Sequence, residues 1–185
     1  MSALSELYMA RMCYPVRTLG RGDRIGIWTT GCNADCYRCI SPEFKKKEYG
    51  KKVPIETILR QIRRIQNVEG FVISGGEPFL QPEALDELVQ GIRTINEDII
   101  VFTGYLYEDL MAGSDVHIHR ILDNISLLID GPYVDALNDG KGLRGSSNQR
   151  IIRLNSRVEY GDLENQKRKL QLMSFDQKII EIGIP

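Results

Sequence analysis

The feature that most constrains the fold is a regular alternation between short apolar runs and amphipathic helical patterns. Five runs have the composition of buried or half-buried strands: 24–30, 70–74, 98–103, 125–130 and 150–154. Residues 53–67, and the segment that begins at Pro82, place apolar side chains three or four positions apart, which predicts two amphipathic helices. Strands that alternate with helices of this length form right-handed crossover units and a parallel sheet.

Chain length limits how far such a sheet can close. A closed barrel of eight strand–helix units needs about 250 residues, whereas this chain has 185. We therefore expect an α/β fold that is a partial, open parallel β/α barrel of about five or six strands, with a further short helix over 106–111. Phe175-Asp176-Gln177 separates two β-prone runs, which predicts a C-terminal β-hairpin on an edge of the sheet.

Composition and charge narrow the possible partners and location. Lys and Arg number 24 against 25 Asp and Glu, a net charge of −1, so no basic excess favours nucleic acid or a membrane surface. No run approaches the roughly 18 apolar residues of a spanning helix, and the start MSALSELYMA lacks the features of a signal peptide, so we expect a cytoplasmic protein. No repeat or Pro-rich linker divides the chain, which predicts a single domain over residues 1–185.

Three of the four cysteines, Cys32, Cys36 and Cys39, have the spacing C-x3-C-x2-C. Three thiolates on one loop can hold one face of a cubane iron–sulfur cluster and leave its fourth iron without a protein ligand. The alternative is a closed structural zinc site, whose fourth ligand would have to be Cys13, His117 or His119.

Other reactive side chains near these motifs have simpler interpretations. We interpret Cys13 as a small buried hydrophobic residue, and His117 and His119 as surface residues on a strand edge or turn. A lysine run beside the cysteine loop is interpreted as a solvated loop or, less simply, as a contact with an acidic partner; it consists of Lys45, Lys46, Lys47, Lys51 and Lys52.

A second motif, Ser74-Gly75-Gly76-Glu77-Pro78, ends the predicted strand 70–74. The carboxyl ends of parallel strands are where such folds bind ligands. Gly75 and Gly76 would let the backbone approach a ligand closely, and the Glu77 carboxylate would suit a ligand ammonium group. Taken alone, the motif is also compatible with an ordinary glycine turn into a helix started by Pro78.

Together, these two motifs resemble those of the radical S-adenosylmethionine enzymes, in the order strand, cysteine loop, helix, strand, Gly-Gly-Glu-Pro. Further segments are similar to the activating proteins of anaerobic ribonucleotide reductases and their single-cluster relatives: LGRGDRIGIWTTGCNADCYRCISPE, FTGY, IDGPY and RGSSNQRI. The resemblance covers the chain from Leu19 almost to its C-terminus. It departs from many superfamily members at Arg38, where they have an aromatic residue before the last cysteine.

The resemblance implies two cofactors, a 4Fe-4S cluster and S-adenosylmethionine. Cys32, Cys36 and Cys39 would bind the cluster, and Gly75, Gly76, Glu77 and Pro78 would form the motif that contacts the S-adenosylmethionine amino group. The remaining candidates for cofactor contacts are Arg38, Thr103, Asp130, Asn148, Gln149 and Arg150. For Thr103 and Asp130, a capping or turn role is an equally simple interpretation. The long segment 132–149, rich in glycine, would be part of the site.

The resemblance also implies a reaction and partners. The enzyme would cleave S-adenosylmethionine reductively to a 5′-deoxyadenosyl radical, which would form a glycyl radical on a partner reductase. A reduced flavodoxin- or ferredoxin-type protein would supply the electron. Two alternatives stay open at this point: a radical S-adenosylmethionine enzyme that acts on a small molecule or another peptide, and a non-catalytic zinc or iron–sulfur interaction module.

Overall fold

The structure is a computed structural model and describes residues 5–185. Residues 1–4, which belong to the predicted domain and begin the segment MSALSELYMA, lie outside the described residues. Its main element is a seven-stranded mixed sheet, and its last two strands form a separate hairpin. Strands of the sheet are β1 (Glu6–Val16), β2 (Arg24–Thr29), β3 (Lys51–Pro54), β4 (Gly70–Gly75), β5 (Ile99–Phe102), β6 (Leu127–Asp130) and β7 (Arg150–Arg153). The helices are α1 (Ile55–Ile62), α2 (Pro82–Arg93), α3 (Tyr107–Ala112) and α4 (Val116–Asn124), and the hairpin strands are β8 (Leu170–Phe175) and β9 (Lys178–Gly183).

The strand order is β3-β1-β2-β4-β5-β6-β7. The neighbours β2, β4, β5 and β6 pair parallel, whereas β1 pairs antiparallel with both β2 and β3, and β7 pairs antiparallel with β6. The α/β class and the five predicted strands are thus confirmed, but the parallel barrel is not, because β1 and β7, which run in the opposite direction, flank the four parallel strands in a mixed sheet.

Apolar side chains cover both faces of this sheet. One face packs against α1, α2 and α4, whose buried stripes include Ile58, Leu88 and Ile121. The other face carries a second cluster with Trp28, Phe44 and residues of the C-terminal segment. The four parallel strands are buried from both sides, as their nearly continuous apolar sequences require.

The C-terminal hairpin forms where the sequence predicts it, with Asp176 and Gln177 both at positive φ in its turn. Its predicted place on a sheet edge is wrong. The hairpin is a two-stranded sheet of its own, and Ile182 and its neighbours pack against the second apolar cluster. The hairpin is therefore held to the rest of the fold by apolar packing and not by backbone pairing with an edge strand.

Two further predictions need correction. The helix predicted over 53–67 covers only Ile55–Ile62, because the chain turns soon afterwards and reaches Asn67 at positive φ. His117 and His119 lie on helix α4 and not on a strand edge or turn. Among the described residues, none of the helices is both long and apolar enough to cross a bilayer.

Candidate cluster and cofactor site

A cavity with a volume of about 500 Å³ lies at the carboxyl ends of the parallel strands. It is bordered by the ends of β2, β4 and β5, by the cysteine loop, by parts of the glycine-rich segment 131–149 and by residues 180–185. This volume suits a cofactor-sized ligand. The position agrees with the expectation that ligands of parallel α/β sheets bind beyond the strand ends.

All three clustered cysteines line this cavity. Main-chain hydrogen bonds close the base of their loop, from the Gly31 N–H to the Phe44 carbonyl at 2.8 Å and from the Cys32 N–H to the Lys45 carbonyl at 3.1 Å. Within the loop, the Ala34 N–H points at the Cys32 sulfur, 3.4 Å away. The loop therefore holds its cysteines at one side of the cavity and offers a peptide donor to a sulfur.

These cysteines fit a cubane cluster better than a single ion. Among residues 5–185, no three Cys, His, Asp or Glu side chains are placed to share one metal ion, the cysteines included. A cubane cluster does not require that, because each thiolate binds a different iron. None of the three candidate fourth ligands for zinc borders the cavity: Cys13 is buried in the second apolar cluster, and both histidines lie on α4.

Cys13 and Cys32 lie in different surroundings. Cys13 is only 5 % exposed and packs among apolar side chains, which confirms its interpretation as a buried hydrophobic residue. Cys32 is partly exposed toward the cavity. Partial burial raises the pKa of the Cys32 thiol, so metal binding there has to displace a proton.

Gly75 and Gly76 are required by the packing of the chain itself. A Cβ atom on Gly75 would lie 2.3 Å from main-chain atoms of Thr29, and one on Gly76 would lie 2.3 Å from the Gly31 carbonyl oxygen. The Gly76 N–H donates to Thr29 and the Glu77 N–H donates to Gly31, at 2.9 and 2.8 Å. The glycines thus attach the motif directly to the start of the cysteine loop.

Glu77 is 2 % exposed, yet its carboxylate borders the cavity. Oε1 accepts hydrogen bonds from the Phe79 N–H at 3.0 Å and from the Thr103 hydroxyl at 2.8 Å. Oε2 accepts one hydrogen bond, from the Gly104 N–H at 2.8 Å. A carboxylate can accept about four hydrogen bonds, so Oε2 keeps one acceptor position.

The Glu77 carboxylate is without a counter-charge in the part of the chain that the structure describes. Among residues 5–185 its carboxylate forms no ion pair, and the groups around it are main-chain N–H groups and one hydroxyl. Burial raises the pKa of Glu77, although those hydrogen bonds oppose the rise. A cationic ligand group in the cavity would offset this desolvation. The donor set and the charge therefore fit an ammonium group, as the resemblance implies.

Thr103 and Pro78 act from the sides of Glu77. Thr103 is buried, lines the cavity, donates to Glu77 and accepts from the Tyr105 N–H at 3.1 Å. Pro78 is buried and begins a short 3-10 turn after Glu77. Both residues position the carboxylate.

Asp130, Asn148 and Arg150 do not border the cavity. Asp130 is fully buried and accepts hydrogen bonds from both the Arg150 guanidinium and the Tyr107 N–H. Arg150 also pairs with Glu108 at 2.6 Å. Asn148 donates to the Pro132 carbonyl at 2.8 Å. These contacts give all three residues a structural role beside the site, in line with the turn interpretation for Asp130.

Gln149 and Arg38 both border the cavity, and they make different contacts there. The Gln149 side chain accepts from the Gly145 and Ser146 N–H groups and donates to the Gly131 carbonyl, so it fixes the glycine-rich segment. Arg38 has φ +54 and reaches Asp135 at 3.5 Å across the cavity mouth. Segment 132–149 is therefore a site element, as expected.

The site also contains residues that the motifs did not indicate. Arg11 lies over the Trp28 and Phe44 rings, 5.9 and 4.7 Å from their centroids, and all three border the cavity. Ile182 and its neighbours in β9 border it from the other side. No spacing signal marks these residues, because they come from separate segments of the chain: β1, β2, the turn 42–45 and β9.

The lysine run is only partly solvated. Lys45 pairs with Asp35 at 3.2 Å and Lys52 with Glu6 at 2.6 Å, while Lys47 lies over the Tyr8 ring. Lys46 and Lys51 are exposed. The run therefore presents a few free positive charges beside the cysteine loop.

Comparison with known proteins agrees with this geometry. The family model of the 4Fe-4S single cluster domain matches residues 18–152. The anaerobic ribonucleoside-triphosphate reductase-activating protein of Escherichia coli K12 is 30 % identical over 153 residues, covering 76 % of this chain and 96 % of the relative. The protein of that name from Enterobacteria phage T4 is 27 % identical over 139 residues, covering 71 % and 85 %.

A more distant relative is the pyruvate formate-lyase-activating enzyme of Clostridium pasteurianum, 30 % identical over 139 residues, which cover 68 % of this chain and 54 % of that enzyme. The region matched by the family model includes the cysteine loop, the Gly-Gly-Glu-Pro motif and the strands that carry them. The chain belongs to the family of 4Fe-4S single cluster domains, on the radical S-adenosylmethionine branch that contains the activating proteins of anaerobic ribonucleotide reductases.

Proposed function

We propose that this protein is an activating enzyme that forms a glycyl radical on a partner reductase in the cytoplasm, with residues 1–185 acting as one domain. The observation that carries the proposal is that Cys32, Cys36 and Cys39 border the same cavity as Glu77, a buried carboxylate that forms no ion pair with the residues the structure describes. The names of the relatives, which activate anaerobic ribonucleoside-triphosphate reductase and other glycyl-radical enzymes, support a protein substrate.

The reaction depends on the two cofactors of the family. When bound, the two cofactors would supply the one-electron reductive cleavage of S-adenosylmethionine and the removal of a hydrogen atom from glycine. Cys32, Cys36 and Cys39 would hold the cluster. Glu77 binds the ammonium group and is itself oriented by Thr103 and the Gly104 N–H.

The apolar side of the cavity supports this chemistry by excluding water. Trp28, Phe44 and Phe102 border it, and Phe44 is almost fully buried. A dry site strengthens the interaction between Glu77 and a cation and limits quenching of a reactive radical by solvent. The protein thus contributes orientation and enclosure, and the cofactors contribute the bond cleavage.

We propose that a reduced flavodoxin- or ferredoxin-type protein supplies the electron. The exposed Lys46 and Lys51 lie close to the cysteine loop along the chain and would favour a donor with an acidic surface. Nucleic acid and membrane stay outside the proposal, since the net charge is only −1.

We predict that the anaerobically reconstituted protein, reduced with dithionite, converts S-adenosylmethionine slowly to 5′-deoxyadenosine. Addition of the anaerobic ribonucleotide reductase encoded in the same genome should then produce a glycyl-radical signal in electron paramagnetic resonance. Cleavage without a glycyl radical would favour the alternative of a small-molecule or other peptide substrate. A cluster spectrum insensitive to S-adenosylmethionine would instead favour the interaction module.

A second prediction concerns Glu77. Glu77→Gln should weaken S-adenosylmethionine binding about tenfold to a hundredfold, because a charge-assisted hydrogen bond contributes roughly 1.5–3 kcal/mol. Titration of the cluster's visible spectrum with S-adenosylmethionine measures the dissociation constant, and the iron content should stay unchanged.

The matched control is Thr103→Val, which removes the hydroxyl that donates to Glu77 but leaves the negative charge in place. Its effect on the dissociation constant should be clearly smaller than that of Glu77→Gln. If the two variants bind S-adenosylmethionine equally well, or if Glu77→Gln loses iron, the carboxylate serves mainly to hold the fold.

A further inference from the structure

The cavity has an unusual border, because β9 contributes consecutive residues to it. Residues 180–185 all line the cavity. Successive side chains of a strand point to opposite faces, so a run of consecutive lining residues indicates that the cavity borders the edge of the strand rather than one of its faces. The apolar face of the same strand, with Ile180 and Ile182, packs against the second apolar cluster.

At two of the β9 residues that border the cavity, the backbone groups point away from β8. The hairpin has a two-residue turn, Asp176-Gln177, and Phe175 pairs directly with Lys178. In such hairpins the pair next to the turn is hydrogen-bonded and every second pair is not. Glu181, opposite Leu172, and Gly183, opposite Leu170, are therefore in non-bonded pairs, and their N–H and C=O groups point away from β8.

No other segment between residues 5 and 185 pairs with these groups: no hydrogen bond from outside the hairpin reaches the backbone of Glu181 or Gly183. An edge strand with free donors and acceptors is a template for another extended chain. Here that edge opens onto the cavity that holds the three cysteines.

Exposed apolar side chains lie beside the same cavity. Four of them are on the cysteine loop and on segment 132–149, with exposures between 37 % and 75 %, and Ile40 itself borders the cavity: Tyr37, Ile40, Val134 and Leu137. Exposed apolar groups of this kind are typical of interaction sites, protein contacts among them. The mouth is thus suited to a polypeptide.

We propose that the substrate segment of the partner reductase enters the cavity as an extended strand and pairs with the free edge of β9 at Glu181 and Gly183. The inference rests on the proposed function and adds how the substrate is held. Main-chain pairing supplies affinity without regard to sequence. A glycine in that strand has no side chain, so its Cα can approach the cavity more closely than that of any other residue.

Glu181→Pro tests this directly. Proline removes the outward N–H of residue 181, but it breaks no hydrogen bond to β8 and is tolerated on an edge. The probe is a synthetic peptide with the glycine site of the anaerobic ribonucleotide reductase encoded in the same genome, bound to reconstituted enzyme with S-adenosylmethionine. Fluorescence anisotropy should show about tenfold weaker peptide binding, with unchanged binding of S-adenosylmethionine.

Two controls separate the edge from the hairpin as a whole. Leu172→Pro makes the equivalent change on the far edge of β8, opposite Glu181, and should bind the peptide like the wild type. Glu181→Ala keeps the N–H and should also bind normally. Equal binding by Glu181→Pro and wild type, or equal loss in both proline variants, would overturn the inference. A wild-type enzyme that cleaves S-adenosylmethionine but neither binds the peptide nor forms a glycyl radical would instead overturn the proposed function.

Discussion

Replacing Cys36 by alanine should abolish cluster binding and, with it, all cleavage of S-adenosylmethionine. Cys36 lies in the middle of the loop whose three sulfurs face one cavity, and two thiolates cannot hold one face of a cubane. Iron and sulfide content after anaerobic reconstitution measures the first effect, and formation of 5′-deoxyadenosine measures the second. Cys32→Ala and Cys39→Ala should behave in the same way.

Cys13→Ala is the matched control, because it removes a thiol of the same kind from a different environment. Cys13 lies in β1 among apolar side chains and does not border the cavity. We expect full iron content in this variant. Loss of iron in Cys13→Ala, to the extent seen in Cys36→Ala, would show that four protein thiolates serve the metal and that no open position remains for S-adenosylmethionine.

The central strands and the location of the site could be predicted because their signals are local. A buried parallel strand is a short apolar run, and β4 and β5 have that form. The cysteine loop and the Gly-Gly-Glu-Pro motif are contiguous in sequence, so their spacing alone places them at strand ends. What local signals could not supply is the direction of the outer strands.

β1 was not predicted because its pattern is irregular. Register shifts occur between Met9 and Arg11 and again between Cys13 and Val16. Each extra residue at a bulge reverses the inward and outward order of the side chains, so the period of two that identifies a strand is lost. An antiparallel first strand was therefore absent from the predicted barrel.

The error at α4 has a different cause. His117 and His119 alternate with apolar residues, which resembles a strand over a few positions. Ile118, Ile121 and Leu122, however, follow the three- and four-residue spacing of a helix. In the structure this face packs against the core, and His117 contacts Asp86 of α2 at 2.8 Å. The helical spacing, which extends over more residues than the strand-like alternation, therefore predicts the correct element.

Roles that depend on long-range contacts could not be predicted. Asp130 and Thr103 both end a strand, and nothing local distinguishes them. Only the fold shows that Arg150 donates a hydrogen bond to the Asp130 carboxylate, whereas Thr103 donates one to Glu77 at the cavity. In the same way, β9 borders the cavity because its hairpin folds back across about 140 residues of chain.

The opposite end of the sheet contains a buried ionic cluster. Arg24, at the start of β2, is fully buried and forms two hydrogen bonds to the Asp98 carboxylate, at 2.5 and 2.8 Å. The Tyr160 hydroxyl also donates to Asp98, and burial together with that carboxylate raises the pKa of Tyr160. Since strands run away from this end toward the cavity, the cluster contributes to stability without touching the cofactor site.

Asp98→Asn should therefore lower the free energy of unfolding by about 3–5 kcal/mol, because it leaves the Arg24 charge buried without its partner. The expected result is a large fall in the urea midpoint, since the slope for a small protein is about 1–3 kcal/mol per M. At low temperature, where the variant is still folded, its dissociation constant for S-adenosylmethionine should equal that of the wild type.

Asp23→Asn is the control for burial, because it makes the same substitution in a neighbouring pair that is exposed to solvent. Arg17 contacts Asp23 at 2.5 Å, but 63 % of the arginine side chain is accessible, and exposed ion pairs contribute little. The urea midpoint of this variant should hardly change. A similar fall of the urea midpoint in both variants would mean that the effect of Asp98→Asn does not depend on the burial of Arg24. Weaker S-adenosylmethionine binding by folded Asp98→Asn would mean that the two ends of the sheet are coupled.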